Sequence, residues 1–101
     1  MHQPRRQTPE GLVKADIRRT AKTIGLFMVP IVGGPLQPPG LPDYIAIYKG
    51  RFVGIECKAG KNKLSQHQER MKGEIEAAGG LFIVAYSGAD VLKALGYDLL
   101  F

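Results

Sequence analysis

Two carboxylates and an amine, Asp43, Glu56 and Lys58, are the side chains best suited to chemistry. Carboxylate oxygens suit hard divalent cations such as Mg2+ or Mn2+. An ammonium group beside them can orient water and stabilise a developing anion. The set fits metal-assisted chemistry, provided the three groups meet in space. Other chemistries lack their residues. No Cys or His spacing suggests zinc, and there is no Gly-rich phosphate loop of Walker type.

The elements that must position them lie in residues 43–58, DYIAIYKGRFVGIECK. Two runs rich in β-branched and aromatic residues flank Lys49-Gly50 and read as a hairpin. A two-residue turn there pairs Tyr48 with Arg51, Ile47 with Phe52, Ile45 with Gly54 and Asp43 with Glu56. A four-residue loop from Tyr48 to Arg51 keeps the same register. The carboxylates then oppose each other at the open end, with Cβ atoms roughly 4.5–5.5 Å apart. Like charges so placed repel, and a bound cation is the natural compensation. Alternation puts Glu56 and Lys58 on one face, with Ile55 and Cys57 on the other. The plain alternative is a solvated hairpin end where Lys58 neutralises one acid, since exposed ion pairs contribute little. The apolar character of both flanking runs, which points to burial, speaks against it. The turn imposes a condition: Lys49 must adopt positive φ, where Asn or Gly is preferred. A loop of odd length slips the register and separates the acids.

Gly40-Leu41-Pro42-Asp43, then Ile55-Glu56-Cys57-Lys58, resembles the P-D…(D/E)-x-K pattern of the PD-(D/E)xK nuclease superfamily. With Glu10 near a helix start and Leu64-Ser65-x-x-Gln68, the set is similar to the VRR-NUC (virus-type replication-repair nuclease) family, from residue 10 to about 86. The resemblance implies an α/β fold with a PD-(D/E)xK nuclease-like core, a mixed sheet flanked by helices. It implies Mg2+ or Mn2+ held by Asp43 and Glu56, assisted by the backbone carbonyl of Cys57 and by Glu10 directly or through water. Lys58 would orient or help deprotonate the attacking water, and Gln68 would sit beside the site. The family's stand-alone members imply a homodimeric, structure-selective endonuclease acting on branched DNA, and a phage or prophage origin.

Size and composition bound these readings. The 101 residues read as one domain, 1–101, with a single modest core. The net charge of +5 favours a polyanionic partner such as DNA. A chain this small leaves no room for a separate DNA-binding domain, so recognition of DNA shape is expected over base sequence. No apolar run is long enough to span a bilayer, and the start lacks the apolar centre of a signal peptide. The lone Cys57 cannot form an internal disulfide and fits a reducing cytoplasm, that of the host if the protein is phage-encoded.

Along the chain, Arg5 and Arg6 belong to a frayed terminus or to an arm on phosphates. Thr8-Pro9-Glu10 starts a helix that runs to about residue 22 or 23. Val13, Ile17, Ala21 and Ile24 form its apolar stripe, and Lys14, Arg18, Arg19 and Lys22 its basic side. Glu10 either complements the helix dipole, worth ~0.3–1 kcal/mol, or faces the metal site. Residues 26–32 read as a strand that Pro30 confines to an edge or a bulge. Residues 33–42 form a Gly/Pro-rich loop, either a connector or a wall of the substrate groove. Lys61 and Lys63, with Lys14 and Arg18, are the candidate phosphate contacts.

Residues 65–78 read as a second helix, with Leu64, Met71, Ile75 and Ala78 inward and His67 exposed. Ser65 and Gln68 match a capping box, which competes with any catalytic duty for Gln68. Residues 81–86, LFIVAY, have the continuous apolar character of a central buried strand. A last short helix begins at Ser87 or Gly88 and runs through Leu95, and the apolar tail covers the core or meets a second subunit. The order is α-β-β-β-α-β-α. The competing functions are a nucleic-acid-binding module without catalysis and a small phage structural protein with the acids in a surface ion network. The first explains the charge of +5 but not opposed acids beside Lys58.

Overall fold

The computed structural model describes residues 7–97. The terminal arm with Arg5 and Arg6 and the apolar tail after Tyr97 lie outside the described residues. The elements are α1(Pro9–Ile24), β1(Phe27–Pro30), β2(Tyr44–Tyr48), β3(Arg51–Cys57), α2(Gln66–Ala77), β4(Leu81–Ala85) and α3(Gly88–Leu95). This is the α-β-β-β-α-β-α order of the expected α/β fold. The sheet has strand order β1-β2-β3-β4, with β3 and β4 parallel and the other pairs antiparallel.

Local chemistry sets the boundaries. Thr8 Oγ1 accepts from the Gly11 N–H at 3.0 Å and caps α1, with Pro9 as its first residue. The hairpin turn is the two-residue one. Lys49 has φ 51° and Gly50 φ 77°, as a type I′ turn requires. The ladder pairs Tyr48 with Arg51, Ile47 with Phe52, Ile45 with Gly54 and Tyr44 with Ile55. Continuing that register one step sets Asp43 opposite Glu56. Pro30 closes β1, which lies at a sheet edge as expected.

Residues 81–85 depart from the expectation of a central strand. β4 is the other edge of the sheet among the described residues. Its continuous apolar character has a different cause: Phe82 and Ile83, on opposite faces, are both buried. Parallel pairing with β3 needs a crossover, and that crossover lays helix over the edge. The inward stripe of α2 is also weaker than expected. Leu64, Met71 and Ile75 are half-buried, while Ala78 is the exposed C-cap.

The core joins Ile17 of α1 and Val91 of α3 to Tyr44, Ala46, Val53, Ile55 and Ile83 on one sheet face. Asp16 Oδ2 ties the two helices by accepting from the Gly88 N–H at 2.6 Å. The opposite face carries α2 near Gly54 and Gly80, where Ile75 packs. No helix among the described residues is long and apolar enough to cross a membrane.

Candidate active site

Asp43 is aimed by the residues before it. Gly40 has φ +85°, and a Cβ there would run into the backbone carbonyl of His67 in the first turn of α2. Pro42 is fully buried and lies over Gly54, where a Cβ would come within 2.9 Å of the Pro42 ring. The loop is thereby pinned between β3 and the start of α2. Its last residue is then clamped twice. The Asp43 carbonyl accepts from the Ile31 N–H at 2.8 Å, and its Oδ2 accepts from the Cys57 N–H at 2.7 Å.

Glu56 comes from the end of β3 and is only 3% exposed. The Lys58 N–H extends the parallel ladder by donating to the Ala85 carbonyl at 3.0 Å. The Lys58 side chain then returns to the same end, with Nζ 3.5 Å from Glu56 Oε2. Glu10 arrives from the first turn of α1. One carboxylate oxygen each from Glu10, Asp43 and Glu56 lies within 4.8 Å of the others. Three carboxylate oxygens gathered this closely are the donor type that hard divalent cations such as Mg2+ take, so these residues would fit one. Two ammonium groups, Lys58 and Lys14, stand against the three carboxyl groups.

The electrostatics carry the same imprint. Burial, reinforced by the charge of Asp43, pushes the Glu56 carboxyl up to about 7 from an ordinary 4.5, despite the opposing pull of Lys58. Burial and then Asp43 push the Cys57 thiol up to about 12, so it stays protonated and is no nucleophile near neutral pH. Its side chain belongs to the core, as alternation required. Burial lowers the Lys14 pKa, but Asp43 and then Glu10 outweigh it and the net shift is upward.

Glu10, Asp43, Glu56 and Lys58 therefore come together. Gln68 closes the cap of α2: its Oε1 accepts from the Ser65 N–H at 2.9 Å, and Ser65 Oγ accepts from the Gln68 N–H at 3.2 Å. This capping box holds the helix turn against which Gly40 packs. Lys61 and Lys63 are exposed on the loop after β3, which Tyr86 pins by donating its hydroxyl to the Asn62 carbonyl at 2.6 Å. Glu10, Lys58, Asn62 and Lys63 line one groove, and residues of loop 33–42 with Asp43 line another. Arg18 is turned to the Tyr44 hydroxyl at 3.0 Å. Lys14, expected on a basic helix face, is inside the cluster, with Nζ 3.5 Å from Asp43 Oδ1. Its spacing of four from Glu10 was the available signal, because such pairs share a helix face.

No family model matches the chain. A solved structure described as a VRR_NUC domain is similar at a TM-score of 0.73 and 23% identity, over 89% of this chain and 97% of that one. The fold is accordingly that of a VRR-NUC domain, as the motifs implied. Holliday junction resolvase RecU of Bacillus subtilis (strain 168) is 36% identical over 66 residues, which is 58% of this chain and 32% of that protein. The chain thus spans about a third of the length of the curated relative it matches.

Proposed function

We propose that this chain, with its VRR-NUC fold, is a Mg2+- or Mn2+-dependent deoxyribonuclease that cuts branched DNA endonucleolytically. The observation that carries the reading is the convergence of Glu10, Asp43 and Glu56 within 4.8 Å, with Lys58 on Glu56. Glu10, Asp43, Glu56 and the Cys57 carbonyl would hold the cation. When bound, the ion would lower the pKa of water and offset charge on the phosphorane. The protein's own groups do the rest. The Cys57 N–H fixes one Asp43 oxygen and so presents the other. Lys58 Nζ orients the attacking water and stabilises the anionic transition state. Lys61 and Lys63 on the exposed loop contact phosphates, as does Arg18 when it leaves Tyr44. Gln68 supports Asp43 indirectly, through the capped turn behind Gly40.

A four-way junction or flap is the favoured substrate, because the similar stretch of RecU belongs to a protein named for Holliday junctions. The enzyme would work in the cytoplasm as a homodimer. Phe27, Ile47 and Phe52 lie in one cross-strand row and are 58%, 49% and 40% exposed. An apolar row of this kind suits a second copy, and a two-fold dimer would present two sites to a two-fold junction. The test is cleavage of labelled linear, nicked, flap and four-way DNA in Mg2+, Mn2+ or EDTA. EDTA-sensitive cutting that favours branched substrates is expected. A salt-sensitive gel shift without cutting would instead identify a binding module.

A further inference from the structure

Lys14 stands one helical turn beyond Glu10 on α1, and its Nζ lies 3.5 Å from Asp43 Oδ1. The other oxygen of that carboxylate is occupied by the Cys57 N–H at 2.7 Å. The ammonium group therefore covers the one Asp43 oxygen that the backbone leaves open. Lys58 engages a different acid, Glu56, and the two lysines differ in freedom. The Lys58 side chain is 14% exposed and follows directly on β3; that of Lys14 is 33% exposed on a helix surface. A flexible four-carbon stem at such a position can swing into water without stranding a buried charge.

We infer that Lys14 is an exchangeable counter-ion: it neutralises Asp43 until a divalent cation enters, and is then released to a DNA phosphate beside the site. This positioning role rests on the metal-dependent nuclease reading. It couples the two ligands through one amine. A cation at Asp43 expels Lys14, and a phosphate that captures Lys14 clears Asp43 for the cation. Each ligand must then strengthen binding of the other by the same factor.

The test is a titration of the full chain with Mn2+ alone, following free Mn2+ by electron paramagnetic resonance, for wild type, Lys14→Gln and Lys14→Arg. Lys14→Gln is expected to bind Mn2+ roughly fivefold tighter, because the entering cation no longer has to break an attraction between unit charges about 4 Å apart in a water-like dielectric. Lys14→Arg, which keeps the charge, should retain the wild-type affinity. Anisotropy of a labelled four-way junction in Ca2+ against EDTA supplies the second readout. The gain in DNA affinity from Ca2+ should be present in wild type and Lys14→Arg and reduced in Lys14→Gln. Unchanged or weaker Mn2+ binding by Lys14→Gln, beside a wild type that binds, would overturn the exchange and leave the nuclease reading intact. A wild type that binds no Mn2+ would remove both.

Discussion

The two ends of the β2–β3 hairpin invert the usual rule of burial in opposite senses. At the open end, Glu56 is charged chemistry placed inside, beside a second carboxylate. At the turn end, Phe52 and Ile47 are apolar yet exposed, in line with Phe27. Each inversion opposes the stability of an isolated chain. On the proposed function a cation would complete the first end and a second copy of the chain the other. The hairpin links them rigidly, because a type I′ turn and an unbroken ladder leave no slack in the register.

The comparison breaks first at the buried end. Glu56→Gln and Lys58→Ala should each reduce cleavage by on the order of a thousandfold while circular dichroism shows a folded protein. Retained cutting would remove the distinction between the two ends. The raised pKa of Glu56 adds a pH signature. The folded state holds a proton that the unfolded state gives up, so this group's contribution to stability falls as pH rises from about 4.5 to about 7. A cation must displace that proton. The rise in melting temperature caused by Mn2+ should therefore be fully present above about pH 7 and fade below it, and Glu56→Gln should flatten the profile.

At the exposed end, Ile47→Lys or Phe52→Lys should weaken self-association by tenfold or more, about 1.4 kcal/mol, and leave the monomer folded. Light scattering across a concentration series reads this, and a wild-type monomer throughout would leave that end without its partner. Smaller effects test how the ends are supported. Gly40→Ala should cost about 1–3 kcal/mol in thermal unfolding, because φ +85° and the His67 carbonyl both oppose a side chain. Cleavage should fall further, since Asp43 moves with the loop. The smallest change is Gln68→Ala, which should match Ser65→Ala at roughly 0.5–1 kcal/mol, the worth of one cap. A loss of cleavage by Gln68→Ala far beyond that of Ser65→Ala would mean that Gln68 touches water or phosphate itself.

Local rules were enough for much of this molecule. Thr8-Pro9 starts α1 and Ser65 with Gln68 caps α2, as their residue types require. The hairpin register followed from the even spacing between strands and the Lys49-Gly50 turn, and it set Asp43 toward Glu56. Cys57 went to the core because strand side chains alternate. These features depend on neighbours within a few residues or on a period of two, so they are written in the order of amino acids.

What required the tertiary structure was every contact between elements remote in sequence. β4 reads as central, yet it is an edge that helices cover, because apolar character reports burial and not the identity of the covering layer. Gly40 reads as a loop glycine, while its function is close approach to the turn that Gln68 caps. Lys14 reads as one cation on a basic helix face; only the angle at which α1 crosses the strand ends brings it to Asp43. Residue types and spacing determined which groups can hold a cation. Packing of α1 and of loop 33–42 decided which Asp43 oxygen the backbone binds and which amine lies beside the other, because those distances are set by the three-dimensional docking of elements and not by position along the chain.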